Sequence, residues 1–144
     1  MGKKIDRSDI EDLVRIGARG AAEKKATDVV ALRVGELLVV TDYFLIATGA
    51  TDRQVHAIAD EIEDRLREAG AKPIGREGEH ELTWVLLDYG DFVVHVFQPE
   101  ERGFYRLEKL WSDAPRLKLP AGVENATKVQ PQVEGETAGA NDAS

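Results

Sequence analysis

The sequence predicts an α/β fold in which a mixed β-sheet is flanked by helices. The chain has 144 residues, about the length of one domain. Two stretches carry apolar residues at helical spacing, and each follows a capping sequence. Several short apolar runs between turn residues have the length of strands. Their order (helix, strand, strand, helix, strand, hairpin, helix) is typical of helices packed on a mixed sheet.

The first helix is predicted to begin at Ser8. In the sequence SDIE, the side chains of Ser8 and Glu11 can satisfy free backbone N–H groups of the first turn, as in a capping box. The apolar residues that follow recur at helical spacing and end in small side chains, namely Ile10, Leu13, Val14, Gly17, Ala18 and Ala21. We expect the small side chains to let this helix pack closely on a sheet.

Two strands and a second helix follow. Residues 28–34 predict a strand, and residues 37–49 an extended region that is most strand-like at 43–48. A second capping box, TDRQ, opens a helix from Thr51 to about Ala69, which Gly70 ends. Its apolar face comprises Val55, Ile58, Ala59, Ile62, Leu66 and Ala69. The segment AKPIG can add a short strand, and the connection over residues 43–74 should then be right-handed.

A hairpin is predicted around Tyr89-Gly90, between strands at residues 82–88 and 91–97. A two-residue loop at these positions pairs Trp84 with His95, Leu86 with Val93, and Leu82 with Phe97, all on one face. The other face then carries Val85, Leu87, Phe92, Val94 and Val96. This register is open to a slip of one residue, because tyrosine suits poorly a position that needs a positive φ.

The predicted domain covers residues 1–115 and ends in a helix over residues 104–112. Residues 116–144 contain no aromatic residue and finish in the small polar sequence GETAGANDAS. Such a segment buries too little apolar surface to offset the entropy lost on ordering. We therefore expect a mostly disordered, dispensable tail, in which Leu117 and Leu119 can dock on the domain.

Charge and composition narrow the classes of partner. The formal charge is −8, so direct binding of free nucleic acid is not expected, whereas a basic protein would be attracted. The chain has no cysteine, which removes disulfides, thiolate metal sites and cysteine nucleophiles, and this agrees with a reducing cytoplasm. It shows no signal peptide and no apolar run long enough to span a membrane. We expect a cytoplasmic protein without a membrane contact.

Catalytic motifs are sparse. The Thr48–Thr51 turn precedes a helix, a place suited to anions, but it matches neither a Walker motif nor GxGxxG. Asp88 and Asp91 flank a turn, where aspartate is common for structural reasons. His56, His80 and His95 share no recognised metal-ligand spacing, and no GxSxG nucleophile motif occurs. We expect no catalytic residue, no metal and no cofactor.

Trp84 is the most informative single residue. Burial in the core accounts for many tryptophans. In this chain, however, Trp84 neighbours a histidine and carboxylates, and tryptophan is favoured at the centre of protein interfaces with polar rims. A face that is part apolar and part acidic would suit a basic partner.

Three segments together resemble the ribosomal silencing factor family, also called Iojap-like. TGATDRQVHAIAD is similar to the family pattern TGxSxRQVxAIAD, with Thr51 in place of serine. WVLLDYGDFVVHVF is similar to WxLxDxGDxVVHxF, and FYRLEKLW at residues 104–111 is the third segment, continued by Asp113 and Ala114. The resemblance covers about residues 8–115 and leaves the tail out.

The resemblance implies a translational repressor, not an enzyme. Such proteins bind the fourteenth protein of the large ribosomal subunit and sterically block joining of the subunits, chiefly under nutrient limitation. It also implies a nucleotidyltransferase-like topology without a catalytic site, and a homodimer in isolation. The expected partner-binding residues are Trp84, Leu86, Asp88, Val93, His95, Tyr105 and Glu108.

An alternative from another class is a small nucleotide-binding, nucleotidyltransferase-like enzyme. It would use the turn before the second helix to hold phosphate, and Asp88 and Asp91 to hold a metal ion. A titration with nucleotide and magnesium separates the two alternatives, because a clear stabilisation supports the enzyme and none supports the binding protein.

Overall fold

A computed structural model describes residues 7–35, 41–78, 84–100, 112 and 114–123. These residues form two helices and five strands: α1 (Arg7–Glu23), β1 (Thr27–Arg33), β2 (Tyr43–Thr48), α2 (Asp52–Glu68), β3 (Gly75–Glu77), β4 (Trp84–Asp88) and β5 (Phe92–Phe97). The predicted strand at 43–48 and the predicted second helix are confirmed, whereas α1 begins one residue before its predicted start. The predicted last helix falls outside the described residues, apart from Ser112.

The five strands form one mixed sheet in the order β1-β2-β5-β4-β3. β2 and β5 are parallel, and the other neighbouring strands are antiparallel. From these pairings β3 runs parallel to β2, with β5 and β4 between them. The predicted mixed sheet flanked by helices is therefore confirmed, and α2 connects two parallel strands that are not neighbours.

Both helices cover one face of the sheet, here called the inner face. Small residues allow α1 to lie close to β2, since a β-carbon added at Gly17 would come within 2.9 Å of Leu45 Cδ2. The apolar stripe of α2 is buried in the same core as the inward residues of the strands. That inward set includes Val85, Leu87, Phe92, Val94 and Val96, as the hairpin pattern predicted.

Gln54 joins the end of α1 to the start of α2. Its backbone N–H donates to Thr51 Oγ1 at 3.0 Å, so the predicted cap of α2 is confirmed. Its side-chain Oε1 accepts from the backbone N–H of Ala50 at 2.6 Å. Its Nε2 donates to the carbonyl oxygens of Lys24 and Lys25, at 3.0 and 3.1 Å. One side chain thus satisfies backbone groups at two helix ends, where intrahelical partners are lacking.

The predicted hairpin register is wrong by two residues. Trp84 pairs with Phe97, Leu86 with His95, and Asp88 with Val93. The two loop residues are Gly90 and Asp91, because the Tyr89 N–H still bonds to the Phe92 carbonyl at 2.9 Å. Glycine, with φ of +84°, takes the left-handed position that tyrosine would resist. A shift of two preserves the face of every side chain, so the predicted faces hold.

The third strand lies later than predicted. AKPIG was expected to supply it, but β3 spans Gly75–Glu77. Arg76 explains the position, because its guanidinium donates to Glu63 at 2.7 Å and forms an ion pair with Asp60 at 3.0 Å, both on α2. Asp60 also lies 2.9 Å from His56 Nε2, and Glu63 pairs with Arg67. The ion pairs of Arg76 fix the edge strand to the helix above it.

Residues beyond Pro115 take part in the core. Pro115 accepts a backbone bond from Arg33, and the Leu117 N–H donates to Ala31 at 2.8 Å, so this segment extends the sheet beside β1. The predicted docking of Leu117 and Leu119 is confirmed, and Val123 is buried with them. We therefore propose that the domain extends beyond Pro115, at least to Val123.

Truncation after Pro115 should destabilise the protein, against the expectation of a dispensable tail. The change exposes part of the core and removes three buried apolar side chains, each worth roughly 1.5–3 kcal/mol. We expect the free energy of unfolding in urea to fall by about 4 kcal/mol or more. Truncation after Val123 is the control and should unfold like the full chain; equal stability of the two truncated chains would contradict the assigned boundary.

Gln54→Ala should lower the free energy of unfolding by about 2 kcal/mol, because two helix ends lose their partners. Gln54→Glu is the matched variant. It keeps an acceptor for Ala50 but places a carboxylate against the Lys24 and Lys25 carbonyls, so it should be no more stable than Gln54→Ala. Thermal melting of the three proteins measures this, and wild-type stability in Gln54→Glu would show that the Nε2 bonds contribute nothing.

Candidate functional site

The outer face of the sheet, opposite the helices, carries the candidate site on β4 and β5. Towards β1 and β2 this face is buried, in a second apolar cluster that includes Leu32, Phe44, Ile46 and Phe97. Towards β4 the side chains become accessible, and Trp84, Leu86 and Val93 are only partly buried. The outer face therefore changes from core to surface along a strip that these three residues define, here called the outer strip.

Aromatic rings support the outer strip from the buried side. The Trp84 ring packs on Phe97 with centroids 4.8 Å apart. The His95 ring is parallel to Phe97 and meets Phe44 edge to face at 4.8 Å. The indole Nε1–H of Trp84 donates to His95 Nδ1 at 3.2 Å. The predicted contact of tryptophan and histidine thus exists, although it runs diagonally and not between directly paired residues.

His95 is held in its neutral form. Its side chain is 5% exposed, and this burial lowers its pKa to about 4. Because the indole only donates, the Nδ1 that accepts from it carries no proton, and the neutral ring then carries its proton on Nε2. Within the described part of the chain, Nε2 has no hydrogen-bond partner. His95 is consequently a buried packing and accepting group beneath the strip.

Two carboxylates border the outer strip. Glu77 on β3 pairs with Leu86, so its side chain lies on the outer face and is exposed. Asp88 lies at the end of β4, and its Oδ1 accepts from the Gly90 N–H at 2.8 Å, which stabilises the hairpin turn. Sequence reasoning found Asp88 but missed Glu77, because the strand that carries Glu77 was assigned too early. Ile74, 74% exposed, lies beside the same turn.

The structure thus places five of the seven predicted partner-binding residues on one face, four of them partly accessible and His95 buried. The other two, Tyr105 and Glu108, lie outside the described residues. Phe44 and Phe97 were not assigned to the site from sequence, and they enter it as the support of the Trp84 and His95 rings.

The groups required by the alternative enzyme lie far apart. Thr48 pairs with Phe97 at one end of β5, whereas Asp88 and Asp91 lie at the turn before its other end. β5 is six residues long, so its two ends lie roughly 17 Å apart. In the turn after Thr48, the Gly49 N–H bonds to Phe97 and the Ala50 N–H to Gln54. Phosphate held at this turn would lie far from a metal held by the aspartates.

Among the described residues, no cluster of histidine and carboxylate side chains is arranged to hold a metal ion. His56 Nε2 lies 2.9 Å from Asp60 Oδ2, one helical turn away along α2, and His80 lies outside the described residues. No helix of the described part is long and apolar enough to cross a membrane.

Burial of neutral His95 should make stability depend on pH. The folded pKa of about 4 lies below the ordinary 6.5, so between these values the unfolded chain binds the extra proton. The free energy of unfolding should fall as pH drops from 6.5 towards 4, by roughly 3 kcal/mol in total from this group. Urea unfolding at pH 7 and 4.5 measures the loss. His95→Gln, which cannot titrate, should lose less; an equal loss in both proteins would refute the assignment.

Comparison with known proteins places the chain in a family. The family model described as "Ribosomal silencing factor during starvation" matches residues 7–143. A Bacillus subtilis protein named ribosomal silencing factor RsfS is 46% identical over 113 residues, covering 78% of this chain and 96% of that protein. A mouse protein named for mitochondrial assembly of the ribosomal large subunit is 29% identical over 115 residues, covering 78% of this chain and 47% of its own length.

A solved structure gives the same result for the fold. The crystal structure of a Chromobacterium violaceum protein aligns with a TM-score of 0.70 and 32% identity, covering 79% of this chain and 94% of that one. The family match spans nearly the whole chain, and the three sequence segments that resembled the family lie within it. The chain belongs to the ribosomal silencing factor family.

Proposed function

We propose that the protein represses translation by binding the large ribosomal subunit through its fourteenth protein and so blocking subunit joining, chiefly under nutrient limitation. The observation that carries this proposal is the outer strip of Trp84, Leu86 and Val93, which is partly exposed and bordered by Glu77 and Asp88. Membership of the silencing family supports a role at the ribosome, and the name of the mouse relative refers to the large subunit.

The chemistry of the outer strip fits a basic protein partner. Tryptophan and leucine supply apolar area that loses its water when a partner covers it, and tryptophan is enriched among the residues that dominate binding energy at interface centres. The carboxylates at the border, together with a net charge of −8, attract a basic surface and steer its approach. The same charge opposes direct binding of free nucleic acid. Tyr105 and Glu108 are proposed to continue the surface.

The proposed mechanism is steric and involves no chemical step. A bound domain of this size on the joining face of the large subunit would occupy space that the small subunit needs. No catalytic group, cofactor or metal ion is required for that. The cytoplasm, where the subunits join, is the compartment in which we propose that the protein acts.

We also propose that the free protein forms a homodimer through the outer strip. When a second copy covers this partly apolar face, apolar surface is removed from water, and this favours association. If the strip serves both contacts, a second copy and the ribosomal protein compete for it, and dilution favours the monomer bound to the ribosome.

Trp84→Ala should weaken binding to isolated large subunits by on the order of 2 kcal/mol, about thirtyfold, because a central anchor is lost. Co-sedimentation measures this, and melting curves show how far the loss of packing on Phe97 affects the fold. Normal binding by folded Trp84→Ala would place the interface elsewhere.

In subunit-joining assays the wild-type protein should reduce joining, and unchanged joining at saturating protein would contradict the proposed function.

A matched pair of charge reversals locates the binding face. Glu77→Lys and Asp12→Lys change the net charge equally, but Glu77 borders the outer strip and Asp12 is an exposed residue of α1, over the opposite face. Only Glu77→Lys should weaken co-sedimentation strongly, and the difference should shrink as salt screens the charges. Equal weakening would mean that net charge alone matters, and not the position of the carboxylate.

A further inference from the structure

Trp84 of the outer strip is hydrogen-bonded to the buried side chain beneath it, His95. Trp84 is only partly buried, and its indole Nε1–H donates to His95 Nδ1 at 3.2 Å. An acceptor at that point therefore selects one orientation of the indole from those that packing permits.

The imidazole is itself well fixed. It lies parallel to the Phe97 ring at an interplanar angle of 3° and meets Phe44 at 76°, and it is almost fully buried. Leu86 is its direct partner on β4, which places Trp84 on the diagonal, within reach of an aromatic side chain. The acceptor is thus held by residues of three strands, and it does not move with the indole.

The buried Nε2–H has no acceptor among the described residues. A phenylalanine would also place a ring at this buried position, but it has no nitrogen to accept from the indole. The acceptor is what histidine adds to the packing of a ring.

We propose that His95 is a positioning residue, whose neutral imidazole with Nε2 protonated holds the Trp84 indole in the orientation that the partner meets. The inference rests on the proposed function, since it concerns how the anchor of that interface is presented. Burial, which lowers the His95 pKa to about 4, keeps the accepting nitrogen free of a proton near neutral pH.

Two substitutions separate positioning from packing. His95→Phe keeps a buried ring but removes both nitrogens, so the melting temperature should stay the same or rise while binding to large subunits weakens about tenfold. His95→Asn places its Oδ1 near the position of Nδ1 and should recover most of the binding. His95→Gln puts its amide near the position of Nε2 and should recover less.

Nuclear magnetic resonance of the free protein provides a measurement that does not depend on the ribosome. The indole N–H of Trp84, assigned with Trp84→Phe, should exchange slowly with solvent in wild type and His95→Asn, and quickly in His95→Phe. Equal exchange in all three would overturn the positioning role, whatever the binding results. Wild-type protein that fails to pellet with large subunits would instead overturn the proposed function.

A double substitution completes the test. Trp84→Phe removes the donor while keeping an aromatic ring, so it should weaken binding as His95→Phe does. If both variants break the same hydrogen bond, the double variant should bind large subunits no more weakly than whichever single variant binds them less tightly. Additive losses, or a His95→Phe protein that binds as wild type does, would contradict the proposal. Trp84→Phe also serves as the test if His95→Phe fails to fold.

Discussion

The parallel pairing of β2 and β5 is the constraint on which the rest of the structure depends. Every residue of β2 and all but one of β5 is buried, so the centre of the sheet must be covered on both faces. α1 and α2 cover the inner face, and the outer face is buried in the aromatic and aliphatic cluster around Phe44 and Phe97. The outer face reaches the surface at Val93 of β5 and along β4 and β3.

The candidate site is therefore an extension of the core. Trp84 touches Phe97, which is completely buried, and also contributes to the accessible strip. Substitutions here therefore affect folding and binding together. On the far side of β4, the ion pairs of Arg76 tie β3 to α2 and so fix the strand that carries Glu77.

Much of this arrangement is predictable from local sequence. The capping box at Thr51 and the apolar spacing of α2 define that helix, and alternation in the hairpin identifies which side chains share a face. The alternation could not fix the register, because a shift of two residues leaves it unchanged. The poor fit of tyrosine to a positive φ pointed to a slip, and the structure shows that Gly90 takes the left-handed turn position. The position of β3 depends on contacts of Arg76 with a distant helix, and the docking of Val123 on contacts with the core, which composition does not reveal. The sequence could predict that Trp84 and His95 are neighbours. Which ring nitrogen of His95 accepts from the indole could be read only from the structure.

Hydrogen exchange of the protein, free and bound to isolated large subunits, tests the central claim most directly, because it reports which backbone segments the partner covers. If the outer strip is the binding face, backbone amide exchange should slow on binding in β4 and in the turn before β5. It should change little in α1 and along α2. Protection confined to the two helices, with β4 unchanged, would contradict it.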